Sequence, residues 1–376
     1  MRLAIDATVL EDRHPTGIGN VALNVVNKLS ELHDDIVIWS VEESLLKIDK
    51  SKLRFPFSEK GRRILGKNIY LARALWTQLS LPSLLRKEQA DIFFSPIAEG
   101  IIKPPIPQVV TIYDITPILF KEHVPLLRNL SFRYRLPQVF KYAKKIITDS
   151  YAVREDIINY YGLRPETVEV VYVAYDTGHF KRTTDEATAG VLNKYGLVRG
   201  EYFIYVGSIV ATKNLDTLLR AFYKSGLDKT LVLAGKIAEA GYYKKLLFIK
   251  ETLKLTNVKF VDYVPYEDLP ALYSGAAALT FVSLIEGFGM PVVEAMSCGL
   301  AVISSDRGSL PEVCGGAAIV TDALSEDEIS RAMIELAQNT AKREELIKRG
   351  YERIKEFSWQ KTAGRILEIC KEAAFY

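Results

Sequence analysis

Short apolar runs recur along this 376-residue chain, separated by stretches too long for hairpin turns and long enough for helices. In the first half they fall at residues 3–9, 36–41, 91–96, 109–113, 145–149 and 168–173. In the second half they fall at 202–206, 230–234, 258–261, 277–282, 301–304 and 317–320. A strand without polar alternation needs apolar cover on both faces, which is the condition of a parallel sheet between layers of helices. The segments between the runs supply those layers. Residues 20–32, for example, set Ala22, Val25, Val26, Leu29 and Leu32 along one side of a helix. The pattern predicts an α/β fold built twice.

The break between the two halves is expected in the polar, glycine-containing stretch AYDTGHFKRTTDEA, residues 174–187. That gives a Rossmann-like domain over 1–175 and a second over 176–357. A final helix over 358–376 is capped by Ser358, is apolar at Trp359, Ala363, Ile366 and Ile369, and is expected to cross back to the first domain. Two such domains would face each other across a cleft at the carboxyl ends of their strands.

Composition removes several classes. A net charge of +3 is too small to argue for nucleic acid, and no nucleic-acid motif accompanies it. The three cysteines, Cys298, Cys314 and Cys370, form no CxxC pair and read as small buried apolar residues. No D-x-D and no metal-ligand spacing occurs, so no metal and no cofactor is expected. The first residues reach Asp6 too soon for a secretory leader, and no run of about eighteen apolar residues could span a bilayer. The expected location is the cytoplasm, with peripheral contact at the inner face of the membrane left open.

The chemistry gathers in EGFGMPVVEAMSCGLAVISSD, residues 286–306. Glu286 directly follows an apolar run, where α/β proteins place their ligands. Gly287 and Gly289 allow backbone to approach a ligand closely, and Pro291 suits the first position of a helix. The N–H groups at that helix end favour an anion, while Glu286 and Glu294 accept hydrogen bonds from hydroxyls. Taken singly, either acid could merely favour a helix N-terminus electrostatically.

The whole string resembles the E-x7-E signature of retaining glycosyltransferases of the GT-B fold, family 4. YVGSIVATKNLDTLLRAF (205–222) and the stretch 260–318 are similar to that family's nucleotide domain. GIGNVALNV (17–25), VVTIYDITP (109–117) and KIITDSYAVREDI (145–157) are similar to its acceptor domain. The resemblance implies that Glu294 accepts from the donor ribose. Glu286 would hold hydroxyls of the transferred sugar, beside backbone N–H groups of Phe288, Gly289 and Met290. Lys213 would neutralise the diphosphate as the leaving group gains charge. Val264 would meet the base through its backbone, Gly207 and Ser208 would line the donor site, and the loop Gly17–Gly19 would approach the diphosphate. Tyr113 and Asp114 stand where many members have His-Asp. Ser208 and Thr212 stand where many carry arginine, so one guanidinium is missing. Tyr113 could bring its hydroxyl to the sugar or be a core aromatic at a strand end. Among the histidines, His14 is the one expected nearest the cleft.

The function implied is transfer of a hexose, with retention and without metal, from a nucleotide sugar to a saccharide or lipid-linked saccharide. A UDP-sugar such as UDP-glucose is favoured over a GDP-sugar. The alternatives are a nucleotide-sugar epimerase and a sugar-nucleotide-binding protein without catalysis. Basic residues cluster at Lys47, Lys50, Lys52, Arg54, Lys60, Arg62, Arg63, Lys67 and Arg73, and again at Arg128, Arg133, Arg135, Lys141, Lys144 and Lys145. The second group is interleaved with Phe132, Tyr134, Phe140 and Tyr142, a pattern suited to anionic lipid or to a solvated face with aromatics turned inward.

Overall fold

The computed structural model describes residues 1–10, 17–42, 45–57, 69–119 and 129–375. Each apolar run named above overlaps a strand, and every strand pairing is parallel. The chain divides into two compact units, Met1–Ala174 with Ser358–Tyr376, and Tyr175–Phe357.

The first unit holds β1 (Leu3–Ala7), β2 (Ile36–Ser40), β3 (Leu53–Arg54), β4 (Ile92–Ser95), β5 (Gln108–Thr111), β6 (Lys145–Thr148) and β7 (Val168–Val170) in the order β3-β2-β1-β4-β5-β6-β7. β1, β2, β4 and β5 are buried at every residue, the condition their unbroken apolar character requires. The edge strand β3 went unpredicted because two residues carry no periodicity.

Helix α1 (Ile18–Leu32) begins two residues earlier than its apolar pattern indicated, with Gly17 at φ +54° before it. Gly19 therefore lies in the first turn of α1 and not in a loop. Helix α2 (Ile69–Leu79) follows later in the same unit.

In the second unit, β8 (Tyr202–Val206), β9 (Thr230–Ala234), β10 (Val258–Val261), β11 (Ala278–Phe281), β12 (Val302–Ser305) and β13 (Ile319–Thr321) run β10-β9-β8-β11-β12-β13. Its helices include α3 (Leu215–Ser225), α4 (Ala240–Thr252), α5 (Leu269–Gly275), α6 (Met290–Ser297), α7 (Glu326–Gln338) and α8 (Thr340–Arg353). Helix α6 starts at Met290, one residue before Pro291. All three cysteines are free thiols and buried.

Helix α9 (Trp359–Phe375) follows the second unit in sequence and packs in the first, against α1, β4 and β5. It buries Ala363, Ile366, Ile369 and Cys370, and Ser358 Oγ caps it by accepting from Lys361 N at 3.2 Å. Thr362 Oγ1 donates to Tyr172 O at 2.7 Å, and Arg365 meets Glu169 at 3.3 Å. Those polar contacts tie the last helix to the end of the first sheet.

Candidate active site

In the second sheet the order reverses between β8 and β11: the chain runs from β8 outward to β9 and β10, then returns to β11 on the other side. Loops at the carboxyl ends of such neighbours diverge and leave a crevice, the usual ligand site of an open α/β sheet. Gly207, Ser208 and Lys213 follow β8, and Glu286 to Met290 follow β11. These residues of the second unit thus flank one crevice.

Two backbone approaches shape it. Gly207 has φ +153°, and a Cβ there would lie 2.6 Å from Tyr205 Oη. Its carbonyl oxygen would stand 2.0 Å from a Cβ on Gly235, so the strand ends after β8 and β9 meet as bare backbone. Gly289 has φ +97° and would drive a Cβ to 2.6 Å from Leu310 Cδ2. That turn aims the start of α6, where Gly289 and Met290 N–H donate to no acceptor of the chain among the described residues. Phe288 is buried beneath, edge-on to Phe357 with ring centroids 5.3 Å apart.

Lys213 Nζ meets Glu286 Oε1 at 2.5 Å, and their side chains keep 20% and 12% of their surface exposed. The ion pair spans the switch point at the solvent edge, where a ligand's charge could exchange with it. Lys213 Nζ also lies 5.7 Å from the centroid of Phe281, whose other neighbour, Tyr205, stacks at 5.8 Å. Backbone joins the two loops as well: Leu284 N donates to Thr212 O at 2.9 Å.

Glu294 sits in the second turn of α6, half-buried. Tyr273 Oη, from α5, donates to its Oε2 at 3.1 Å. Oε1 accepts nothing from the chain among the described residues. Burial pushes this carboxyl up to about 7, and the Tyr273 hydrogen bond offsets only part of that. Donors from a ligand would return it to the charged form. Val264 follows the edge strand β10, its side chain buried and its N–H and C=O engaged in no hydrogen bond among the described residues.

Gly17, Gly19, Tyr113 and Asp114 belong to the first unit. Tyr113 is buried at the end of β5, and its hydroxyl donates to Pro96 O at 2.9 Å. Its proton is committed to backbone, which supports the core-aromatic reading over contact with a sugar. Burial, with the Asp149 charge nearby, raises that hydroxyl far above the ordinary tyrosine range. Asp114 Oδ1 accepts from Thr116 N at 2.9 Å, fixing the turn into the next helix. His14 lies outside the described residues.

At the positions where arginine was missing, Ser208 is exposed and Thr212 is buried. Two residues that sequence reasoning passed over are Lys236 and Asn214. Lys236, in the loop after β9, is exposed without an ion-pair partner among the described residues, and its carbonyl accepts from Ile209 N at 2.9 Å beside Ser208. Asn214 is 3% exposed at φ +59°. Its Nδ2 donates to Val282 O at 3.0 Å and to Ala323 O at 2.7 Å, and its Oδ1 accepts from Thr217 Oγ1 at 2.7 Å. It fastens the Lys213 loop to the end of β11. An asparagine after a lysine, ahead of an amphipathic helix, is a signal for a left-handed cap that could have been read.

Comparison with known proteins bears on this geometry. Residues 193–353 match the family model of glycosyl transferases group 1, and residues 15–179 that of glycosyltransferase family 4. The chain is 31% identical over 269 residues to O-antigen chain mannosyltransferase B of Escherichia coli, covering 70% of each chain. It is 26% identical over 233 residues to O-antigen chain mannosyltransferase RfbU of Salmonella typhimurium, spanning 61% of that protein's length. Among solved structures it is similar to Alr3699/HepE of Anabaena in complex with UDP and glucose. The TM-score is 0.72 at 18% identity, over 99% of this chain and 100% of that one. At that identity the likeness speaks for the fold, GT-B.

Proposed function

The chain belongs to the glycosyl transferases group 1, and on that premise we propose that it moves a hexosyl group from a nucleotide sugar to a saccharide or lipid-linked saccharide during polysaccharide assembly. The relatives' names support mannose as the hexose. UDP is the nucleotide we favour and GDP the alternative. The observation that carries the reading is the Lys213–Glu286 pair at the switch point, flanked by the glycine turns and by the start of α6.

In this reading the diphosphate lies against the N–H groups of Gly289 and Met290, with Lys213 and Lys236 supplying positive charge. Lys236 stands in for the arginine absent at Ser208. Glu286 accepts from hydroxyls of the transferred sugar, and Glu294 Oε1 accepts from the ribose. Transfer breaks the bond from the anomeric carbon to the diphosphate oxygen and forms one to the acceptor oxygen on the same face. The acceptor's proton passes to the departing diphosphate oxygen, so no side chain need serve as base. Lysines and helix N–H groups then meet the phosphate charge without a metal, and activity should survive chelator.

No helix among the described residues is long and apolar enough to cross a membrane. For peripheral contact, Leu130, Arg133, Tyr134, Lys141, Tyr142 and Lys144 are all exposed, and residues 129–145 contain no acid. Arg133, Lys141 and Lys144 have no ion-pair partner among the described residues, whereas Phe132 and Phe140 are buried. Such a surface suits anionic lipid. Lys60, Arg62, Arg63, Lys67 and Arg128 lie outside the described residues. Arg73, grouped with them by sequence, is buried and paired.

The test is calorimetric titration of wild type and Glu294→Ala with UDP and, separately, GDP. One nucleotide should bind, and the substitution should weaken it by roughly 1–3 kcal/mol. Glu286→Ala should keep that nucleotide affinity and lose transfer. Binding of neither nucleotide would end the donor-site assignment.

A further inference from the structure

The first sheet has its own switch point, between β1 and β4, and a buried charged cluster sits there. Asp6 in β1 is 2% exposed, and its Oδ1 accepts from Thr8 N at 3.0 Å and Thr8 Oγ1 at 2.6 Å. Arg73, projecting from α2, donates Nε to Thr8 Oγ1 at 3.2 Å and Nη2 to Glu99 Oε2 at 3.0 Å. Arg73 and Glu99 are 4% and 7% exposed.

Glu99 lies in the loop after β4, and that loop is fixed from several sides. Tyr113 Oη holds Pro96 O, and Gln78 Nε2 donates to Gly100 O at 2.7 Å. Gln108 brackets Ile101, its Nε2 donating to the carbonyl at 2.8 Å and its Oε1 accepting from the N–H at 3.1 Å. A Cβ on Gly100 would lie 2.6 Å from Val139 Cγ1, so the loop has no room to shift inward. A loop held this way is pre-organised rather than adaptable.

One oxygen of Glu99 is committed to Arg73. The other, Oε1, accepts nothing from the chain among the described residues. Glu99 keeps 7% of its surface exposed, and Oε1 is not among the sealed polar atoms that lack a partner, so a ligand's hydroxyl can take the place of water there. Burial, the largest influence on Asp6, raises its carboxyl and draws it toward the neutral form. The ion pair with Arg73 holds Glu99 so that Oε1 is presented as an acceptor, which suits a hydroxyl donor and repels a phosphate.

We infer that Glu99, held in place by Arg73, receives a hydroxyl of the saccharide acceptor through Oε1. This rests on the transferase reading above and gives it an acceptor contact in the first unit.

The experiment is titration of the full chain with mannotriose, followed by saturation-transfer NMR, beside a nucleotide titration of the same samples. Wild type should bind both. Glu99→Gln keeps an oxygen for Arg73 but turns an NH2 toward the ligand, and should weaken mannotriose about tenfold or more while leaving nucleotide affinity unchanged. Glu99→Asp is too short to reach both partners and should also weaken mannotriose. It is the variant to read should Glu99→Gln fail to fold. Equal mannotriose affinity in wild type and the folded variants overturns the inference, as does a wild type that binds nucleotide but not mannotriose. The transferase reading fails separately, if wild type binds neither nucleotide. Mannotriose binding that still depends on Glu99 would then describe a saccharide-binding protein.

Discussion

Counted within each unit, the two sheets share the strand order 3-2-1-4-5-6, to which the first adds a seventh strand, and each places an ion pair between a basic side chain and a glutamate at its switch point. The pairs differ in their surroundings. Arg73 and Glu99 have side chains 5% and 9% exposed, inside hydrogen bonds that reach Thr8 and Asp6. Lys213 and Glu286 stand at the solvent edge among glycine turns that bare the backbone at Gly207 and Gly289. The same topology therefore supports two kinds of site. Where glycines strip side chains away, N–H groups and an ammonium paired at the surface stand open to a ligand. Where a guanidinium is buried among acids, the loop is fixed and offers one carboxylate oxygen.

Removing the cation from each pair should break that parallel. Arg73→Ala leaves Glu99 buried without its partner and should cost about 3–5 kcal/mol in urea unfolding, with the transition of the first unit moving to lower denaturant. Lys213→Ala, at the solvent edge, should cost only about 1 kcal/mol in stability yet slow transfer by ~100-fold or more. Equal stability losses would mean that the difference in burial is without consequence.

Asn214 extends the comparison, because the second site, like the first, uses a buried side chain to hold its loops. Asn214→Gly keeps the positive φ and deletes two buried hydrogen bonds to carbonyls, an expected loss of about 2 kcal/mol. Asn214→Ala adds about 1 kcal/mol of backbone strain at φ +59°. An alanine variant as stable as the glycine one would remove the backbone term.

Glu294 supplies the pH dependence. Burial lifts its carboxyl from 4.5 to about 7, so between those values the folded protein keeps a proton that the unfolded chain has released. Its contribution to stability is full below about 4.5 and is lost as pH rises through about 7. Ribose hydroxyls favour the ionised form, so nucleotide affinity should rise severalfold as pH passes upward through 7, with proton release on binding. Glu294→Gln should flatten both curves; a slope that persists would assign the titration elsewhere. The smallest effect is Tyr113→Phe. It should lower stability by about 1 kcal/mol through the lost bond to Pro96 and leave turnover within twofold. A large fall in rate with unchanged stability would return the hydroxyl to the sugar.

The strands were legible because burial on both faces leaves an unbroken apolar run, a signal that survives without any tertiary knowledge. The two-residue β3 and the early start of α1 were not, since one carries no period and the other is set by Gly17 turning at positive φ. Glu286 and Glu294 stood out because a glycine turn, a helix start and two acids coincide within a few residues. Arg73 read as one more cation in a basic stretch, and only the approach of α2 to β1 and β4 shows it buried against Glu99. Glu99 and Thr8 lie 26 and 65 residues from it, beyond any local pattern. The sequence by itself determined the parallel α/β architecture and the residues around the second crevice, because periodicity and turn chemistry are local. The tertiary structure decided which charges pair, which hydroxyl is committed to backbone and which carboxylate oxygens remain open, because those depend on contacts between segments far apart in the chain.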